Sequence, residues 1–373
     1  MSAGDASQQY GPEWELLESV CRGVDTPDDQ DALRRLCGAS LQWGKVLDDA
    51  LRHRMLTLLA DAIIRSGATA ALPLRVGEHL RTVLALNRYR RGVWYRECGR
   101  VVEAFRAVQV DTAVRKGGAY EPTIYGGDGR RWMGDIDLLI RARDHATVVN
   151  VLQDLGYEQG LYDFDAEVIV PFGRVELIKY KLNPDHLPTY TLRTGDPLVP
   201  VLEVDCATSL TWARSPYQVP VDDVLATLDT VEAGAGTKIA VPCALPAFQF
   251  LDTVLHLFRE AWFDWWLEKE QDVDLMKFGD VLRLARAYLP DLTGGCFQRM
   301  VLGYGVAQPV CWVLEHLDRT FGTRLVKEFG LTGNTTESFL ASAAVSGPDV
   351  AVWHADMRAR LHATDRRHLL TGV

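Results

Sequence analysis

Two aspartates separated by one apolar residue, Asp135-Ile136-Asp137, run directly into Leu138-Leu139-Ile140. In an extended strand residues i and i+2 face one way and the residue between them faces the other. The spacing therefore predicts two carboxylates side by side on one strand face, with Ile136 anchored in the core behind them. Adjacent carboxylates repel, so the pair is costly unless a cation lies between them, and oxygen-only ligation suits Mg²⁺ or Mn²⁺. A second acid pair, Glu203-Val204-Asp205, occupies another strand candidate, LVPVLEVDCA. If the two strands are neighbours, one of these acids completes a three-carboxylate cluster able to hold two metal ions for in-line phosphoryl or nucleotidyl displacement. Other Asp-x-Asp pairs lack this context. Asp163 and Asp165, in the polar-aromatic stretch GLYDFDAE, read as a solvated loop. Asp272 and Asp274 fall in a helical pattern, where i and i+2 do not share a face, and read as helix surface.

The elements that must position these acids follow from apolar periodicity. From Pro12 to about Ala107 apolar residues recur at three- and four-residue spacing, which predicts four or five helices. The short β-like run VQVDTAV is closed by Arg115-Lys116-Gly117-Gly118, and two consecutive glycines let backbone N–H groups approach phosphate oxygens. DHATVVNVLQDLGY predicts a helix bounded by Asp144 and Gly156, and EVIVPFGRVELIKYKL reads as a β-hairpin turning at Pro171–Gly173. AGAG at 233–236 is a turn-rich stretch, and from about Leu245 the helical pattern resumes, with Leu251, Val254, Leu255, Phe258, Trp262 and Trp265 as one apolar stripe. The expectation is an α+β protein: a helical region over 1–107, a small mixed-sheet core over 108–215 and a second helical region over 216–373.

Composition narrows the function classes. Forty Lys+Arg against fifty Asp+Glu leave a formal charge of −10, which disfavours a nucleic-acid-coating surface. No run approaches the roughly 18 apolar residues of a membrane helix, and the start, MSAGDASQQYGPEWE, is acidic and polar. Seven scattered cysteines without a C-x-x-C read as reduced thiols, so a cytoplasmic protein is expected. His186, in NPDHLPTY, is a candidate general base or acceptor contact; His256 reads as a core histidine, and Trp266 as a cleft aromatic.

Lys116-Gly117-Gly118, Tyr125, Arg131 four residues before Asp135-Ile136-Asp137, and a following helix ending in Leu155-Gly156-Tyr157 together resemble the uncharacterised nucleotidyltransferase family of the DNA polymerase β-like superfamily. The resemblance spans about residues 45–330, its looser flanks including ALRHRMLTLLADAI and the Ala244–Leu284 region. It implies a mixed sheet flanked by helices, a divalent metal, and transfer of a nucleoside monophosphate from an NTP, ATP in the first instance, to a small-molecule acceptor with release of pyrophosphate. Carried over by position, Asp135, Asp137 and Asp205 match the catalytic and metal-binding acids, with two ions expected and Glu203 as the reserve third acid. Gly117 and Gly118 match the phosphate-contacting step, and Lys116 and Arg131 match the nucleotide-binding cations, with Arg130 beside them. Relatives often carry His-Trp after the third acid, where this chain has Cys206-Ala207-Thr208. A protein-modifying, AMP-attaching enzyme and a non-catalytic nucleotide-binding module are the alternatives of the same fold.

Overall fold

The computed structural model describes residues 10–234, 238–345 and 350–371. Most of the polar N-terminal run, and Ala235 and Gly236 of the AGAG stretch, lie outside them. By its internal contacts the chain forms two compact units, residues 1–84 with 250–373, and residues 85–249. This division falls elsewhere than the changes in sequence character at 107 and 215. Among the described residues no helix is long and apolar enough to cross a membrane. The seven cysteines are free, and all but Cys296 are buried.

The helices α1 (Pro12–Arg22), α2 (Pro27–Cys37), α3 (Trp43–Arg52), α4 (Leu56–Arg65) and α5 (Leu74–Ala107) follow the predicted N-terminal pattern. In the 85–249 unit a six-stranded sheet has the order β1-β2-β6-β5-β3-β4. Its strands are β1 (Ala113–Val114), β2 (Ile136–Leu139), β3 (Glu158–Asp163), β4 (Val168–Pro171), β5 (Tyr190–Asp196) and β6 (Val199–Ala207). β2 and β6 are parallel neighbours, whereas the other pairs are antiparallel. Behind them the last part of α5 contributes Trp94, Cys98, Val101 and Phe105 to a core shared with Ile136, Leu138, Val204 and Cys206. Helix α7 (His145–Asp154) adds Val148 and Leu152 to it. The alternation that buries Ile136 and Leu138 turns Asp135 and Asp137 to the other side of the sheet.

Three local readings are corrected. Lys116-Gly117-Gly118 does not end a strand but opens helix α6 (Lys116–Thr123). The predicted hairpin ends after its first strand, because Arg174–Leu182 forms helix α8, started by Glu176, whose carboxylate accepts the Gly173 N–H at 2.7 Å. Val175, Ile178 and Leu182 have helical spacing, which β-branched and aromatic content masks. A β7 (Leu228–Ala233) and β8 (Ile239–Ala244) hairpin also lies in a stretch read without strands.

The other unit is mostly helical, with α10 (Pro246–Trp262) and α11 (Leu275–Ala287) after the short α9 (Val221–Leu225) of the sheet unit. It also carries a small sheet of β9 (Ser342–Ala344), β10 (Val350–Trp353) and β11 (Leu370–Thr371), absent from the sequence reading. Asp272 and Asp274 are buried rather than on a helix surface. Asp272 pairs with Arg360 and Arg366, while Asp274 caps α11 by accepting the Lys277 N–H at 2.8 Å. Trp265, placed in the apolar stripe by its spacing, is instead 40% exposed beside Trp266. Asp163 is exposed and accepts the Asp165 and Ala166 N–H groups, a solvated turn as read.

Gly118 shows how tightly the sheet unit is closed. A Cβ there would meet the Trp94 ring and lie 2.6 Å from Val114. Overpacking of this kind costs about 1–3 kcal/mol, more than the fraction of the ~1 kcal/mol helix-propensity gain available in a first turn. Gly118→Ala should therefore lower stability by about 1–2 kcal/mol in urea unfolding; an unchanged midpoint would contradict this packing.

Candidate active site

The parallel register of β2 with β6 sets Asp137 directly opposite Asp205, and Ile136 opposite Val204. Asp135, two residues before Asp137, and Glu203, two before Asp205, extend the same face. One oxygen from each of Asp135, Asp137 and Asp205 lies within 4.8 Å of the others, so the strands bring together the three acids that the sequence singled out. Glu203 faces Thr191 of β5 in the register and is not in this cluster. Three carboxylates this close form an oxygen-only donor set that fits a hard divalent cation, whose charge would offset their repulsion.

Lys116 supplies the positive charge already present. Its Nζ lies 2.7 Å from Asp137 Oδ1. Burial opposes that charge, but Asp137, with Asp135 and Asp205, outweighs it and holds the ammonium pKa above its ordinary value. The lysine reaches this position from a left-handed backbone, φ 46°, a sparsely populated conformation for a residue with a side chain. Burial first, and then the Asp137 charge, push the Asp135 carboxyl up to about 7. The cluster therefore carries more negative charge than its one lysine neutralises.

Helix α6 starts at this cluster. Its cap, Arg115, makes no side-chain capping bond, and its own N–H donates to the Asp137 carbonyl at 2.9 Å. The first-turn amides of Lys116, Gly117 and Gly118 have no intrahelical acceptor, and a helix start of this kind favours anions. The glycines are needed for packing as well. A Cβ on Gly117 would run into the Arg131 guanidinium, which lies over Tyr120 at 5.6 Å and Tyr125 at 5.9 Å. A buried ion pair, Arg91 Nε to Glu121 Oε2 at 2.5 Å, ties α5 to α6, and Glu121 Oε1 accepts the Gly129 N–H at 2.8 Å. Asn87 donates to the Gly129 and Arg131 carbonyls, so the loop before β2 hangs from α5. Arg130 pairs with Asp128.

Two features escaped the sequence reading. Arg90, on α5, lies over the Trp132 ring at 5.4 Å and in the field of Glu203 and Asp135; its Nη2 donates to the Gly134 carbonyl at 3.5 Å, and among the described residues its buried Nε has no hydrogen-bond partner. Desolvation lowers the Arg90 pKa, and burial raises that of Glu203. Only the helical phase shared with Asn87, Arg91 and Trp94 signals Arg90 in the sequence. The second is an orienting contact on His186. Its Nδ1 lies 2.9 Å from buried Asp185, and its Nε2 lies 3.8 Å from Asp205. The segment carrying both residues is stitched to β6, Leu187 N–H donating to the Cys206 carbonyl at 2.9 Å. His256 and Trp266 belong to the other unit. His256 is half-buried, 3.2 Å from Glu260, and Trp266 stacks obliquely on Trp265 beneath Lys269.

Two acids at the start of one strand, a third on its parallel neighbour and a glycine-opened helix beside them form an oxygen-rich, cation-ready site. Residues 39–322 match the model of the uncharacterised nucleotidyltransferase family, and the chain belongs to that family. Membership supports nucleotidyl transfer as the general activity. No curated protein matches the chain at a meaningful level.

The raised Asp135 pKa has two consequences. A cation must displace its proton, so Mn²⁺ affinity measured by calorimetry should rise by up to about tenfold per pH unit below 7 and level off above it. Since the folded pKa lies above the ordinary 3.8, the folded state binds the extra proton, and metal-free stability falls as pH rises from about 4 to 7. Asp135→Asn removes that cost, so the metal-free variant should melt higher than the parent at pH 8 and by a shrinking margin toward pH 4. A lower melting temperature at pH 8 would contradict the crowding.

Proposed function

We propose that this protein transfers a nucleoside monophosphate from an NTP, ATP in the first instance, to a hydroxyl group of a small-molecule acceptor. The acceptor oxygen forms a bond to the α-phosphorus, the bond from that phosphorus to the oxygen bridging the β-phosphate breaks, and pyrophosphate leaves. The observation that carries this reading is the meeting of Asp135, Asp137 and Asp205 within 4.8 Å beside the start of α6, in a chain of a nucleotidyltransferase family. Asp135 and Asp137, completed by Asp205, would hold two divalent cations, Mg²⁺ or Mn²⁺, which when bound activate the attacking hydroxyl and neutralise charge on the leaving oxygen.

The chain's own groups do the positioning. Asp205 takes the hydroxyl proton. His186, oriented by Asp185, stands beside Asp205 as the wall of the acceptor side. Lys116, paired with Asp137 at 2.7 Å, would exchange that ion pair for one with a phosphate oxygen of the bound NTP. The first-turn amides at Gly117 and Gly118, with Arg131, hold the phosphate chain. Arg90, whose Nε has no partner among the described residues, adds a second guanidinium. Most of the rate then comes from alignment and charge, as is usual when phosphorus moves between oxygens.

Incubating the protein with labelled ATP, Mg²⁺ and a small-metabolite extract should yield pyrophosphate and a product heavier by one NMP. Asp135→Asn and Asp137→Asn should each abolish both while the circular dichroism spectrum is kept; full turnover in either variant would sink the proposal. Arg90→Ala should raise KM for the NTP about tenfold to a hundredfold, the equivalent of ~1–3 kcal/mol for a charged hydrogen bond; an unchanged KM would remove Arg90 from the phosphate site.

A further inference from the structure

The β3–β4 hairpin and α8 expose an unusual amount of apolar surface. Leu161, Val168 and Val170 are each at least 45% exposed, and Val175, Ile178 and Leu182 at least 43%. Val168 and Val170 share a strand face by alternation, and Leu161 joins it as the register partner of Val170. Val175, Ile178 and Leu182 fall at i, i+3 and i+7 of α8, a helix with no buried residue. β4 is also the outermost strand of the sheet, and among the described residues nothing pairs with its free edge. An apolar, unpaired edge is a template for another strand.

Charge identifies the occupant. The turn that leads into β4 exposes Asp163, Asp165 and Glu167, while the helix that leaves it exposes Arg174, Lys179 and Lys181 against one acid, Glu176, whose carboxylate accepts the Gly173 N–H. One end of the strand is thus acidic and the other basic, a pattern complementary to itself when reversed. We propose that this face is the interface with a second copy of the chain, the two β4 strands lying antiparallel across a two-fold axis at Ile169. That register sets Ile169 against the second copy's Ile169 and Val168 against the second copy's Val170, keeping the apolar faces on one side of the joined sheet; it brings the acidic turn that carries Asp165 beside the helix start that carries the second copy's Arg174, and the axis repeats each contact, as an isologous interface requires. Pro171 has no N–H to donate, so the ladder is short and the helix stripes provide most of the buried surface. Oppositely charged ends fix the antiparallel direction, since a parallel pairing would set acid against acid.

Multi-angle light scattering and sedimentation equilibrium on the full chain read the outcome directly. The parent should run at twice the 41.6 kDa chain mass. Arg174→Glu and Asp165→Lys should each weaken association at least about tenfold, a change of ~1.4 kcal/mol. An equimolar mixture of the two variants should recover the dimer, because in the heterodimer both contacts again join opposite charges. Slowed amide exchange at 168–170 on raising the protein concentration should accompany it. A parent that stays monomeric at ~100 µM, or a dimer that neither variant weakens and the mixture does not restore, would overturn the proposal. The readouts involve no turnover, so they stand apart from the assay of nucleotidyl transfer.

Discussion

The parallel pairing of β2 with β6 is the constraint on which the site depends. It places Asp137 across from Asp205, and strand alternation adds Asp135, so three carboxylates share one small space. The apolar backs of the same strands, Ile136, Leu138, Val204 and Cys206, are in the core, and the acids cannot turn away without unseating them. Burial of apolar surface thus holds the like charges together. The Lys116 contact and the upward shift of Asp135 are two responses to that compression. Both leave the cluster short of positive charge, which is the property a cation-dependent site needs. Stability given up at the acids is what a functional site is expected to show.

A second set of contacts fixes what approaches the acids. Helix α5 brings Asn87, Arg91 and Trp94 to three places on the facing segment: the loop before β2, the buried Glu121 of α6, and Gly118 with the Asp135 carbonyl, which accepts the Trp94 indole N–H at 3.0 Å. These contacts set the start of α6 and the Arg131 guanidinium relative to the carboxylates. The sequence presents the two glycines as freedom for a phosphate to come close. In the structure Gly117 and Gly118 also make room for Arg131 and Trp94, so one small residue type serves packing and approach together.

What was legible in the sequence was local. Period-two alternation around Asp135–Ile140 and Glu203–Cys206 is short-range information, and it gave the strands and the shared face. The α+β architecture, with helical regions before and after a mixed sheet along the chain, follows from changes in apolar period. Features that depend on distant partners were hidden. Arg90 reaches the acids only because α5 lies against the sheet. Asp272 looks like any surface aspartate until Arg360 and Arg366, far along the chain, close on it. The start of α6 looks like the close of a strand because two consecutive glycines carry no helical apolar spacing, and α8 looks like a strand because its β-branched and aromatic composition outweighs its spacing.

The central claim is that crowded carboxylates on β2 and β6 form a cation site that a nucleotide completes. The most direct measurement is anomalous diffraction from crystals grown with Mn²⁺ and a non-hydrolysable NTP. The account predicts manganese peaks bounded by Asp135, Asp137 and Asp205, with the Lys116 ammonium moved off Asp137 and the triphosphate at the first turn of α6. Manganese absent from those three carboxylates, with Lys116 still on Asp137 and the nucleotide bound elsewhere, would contradict it.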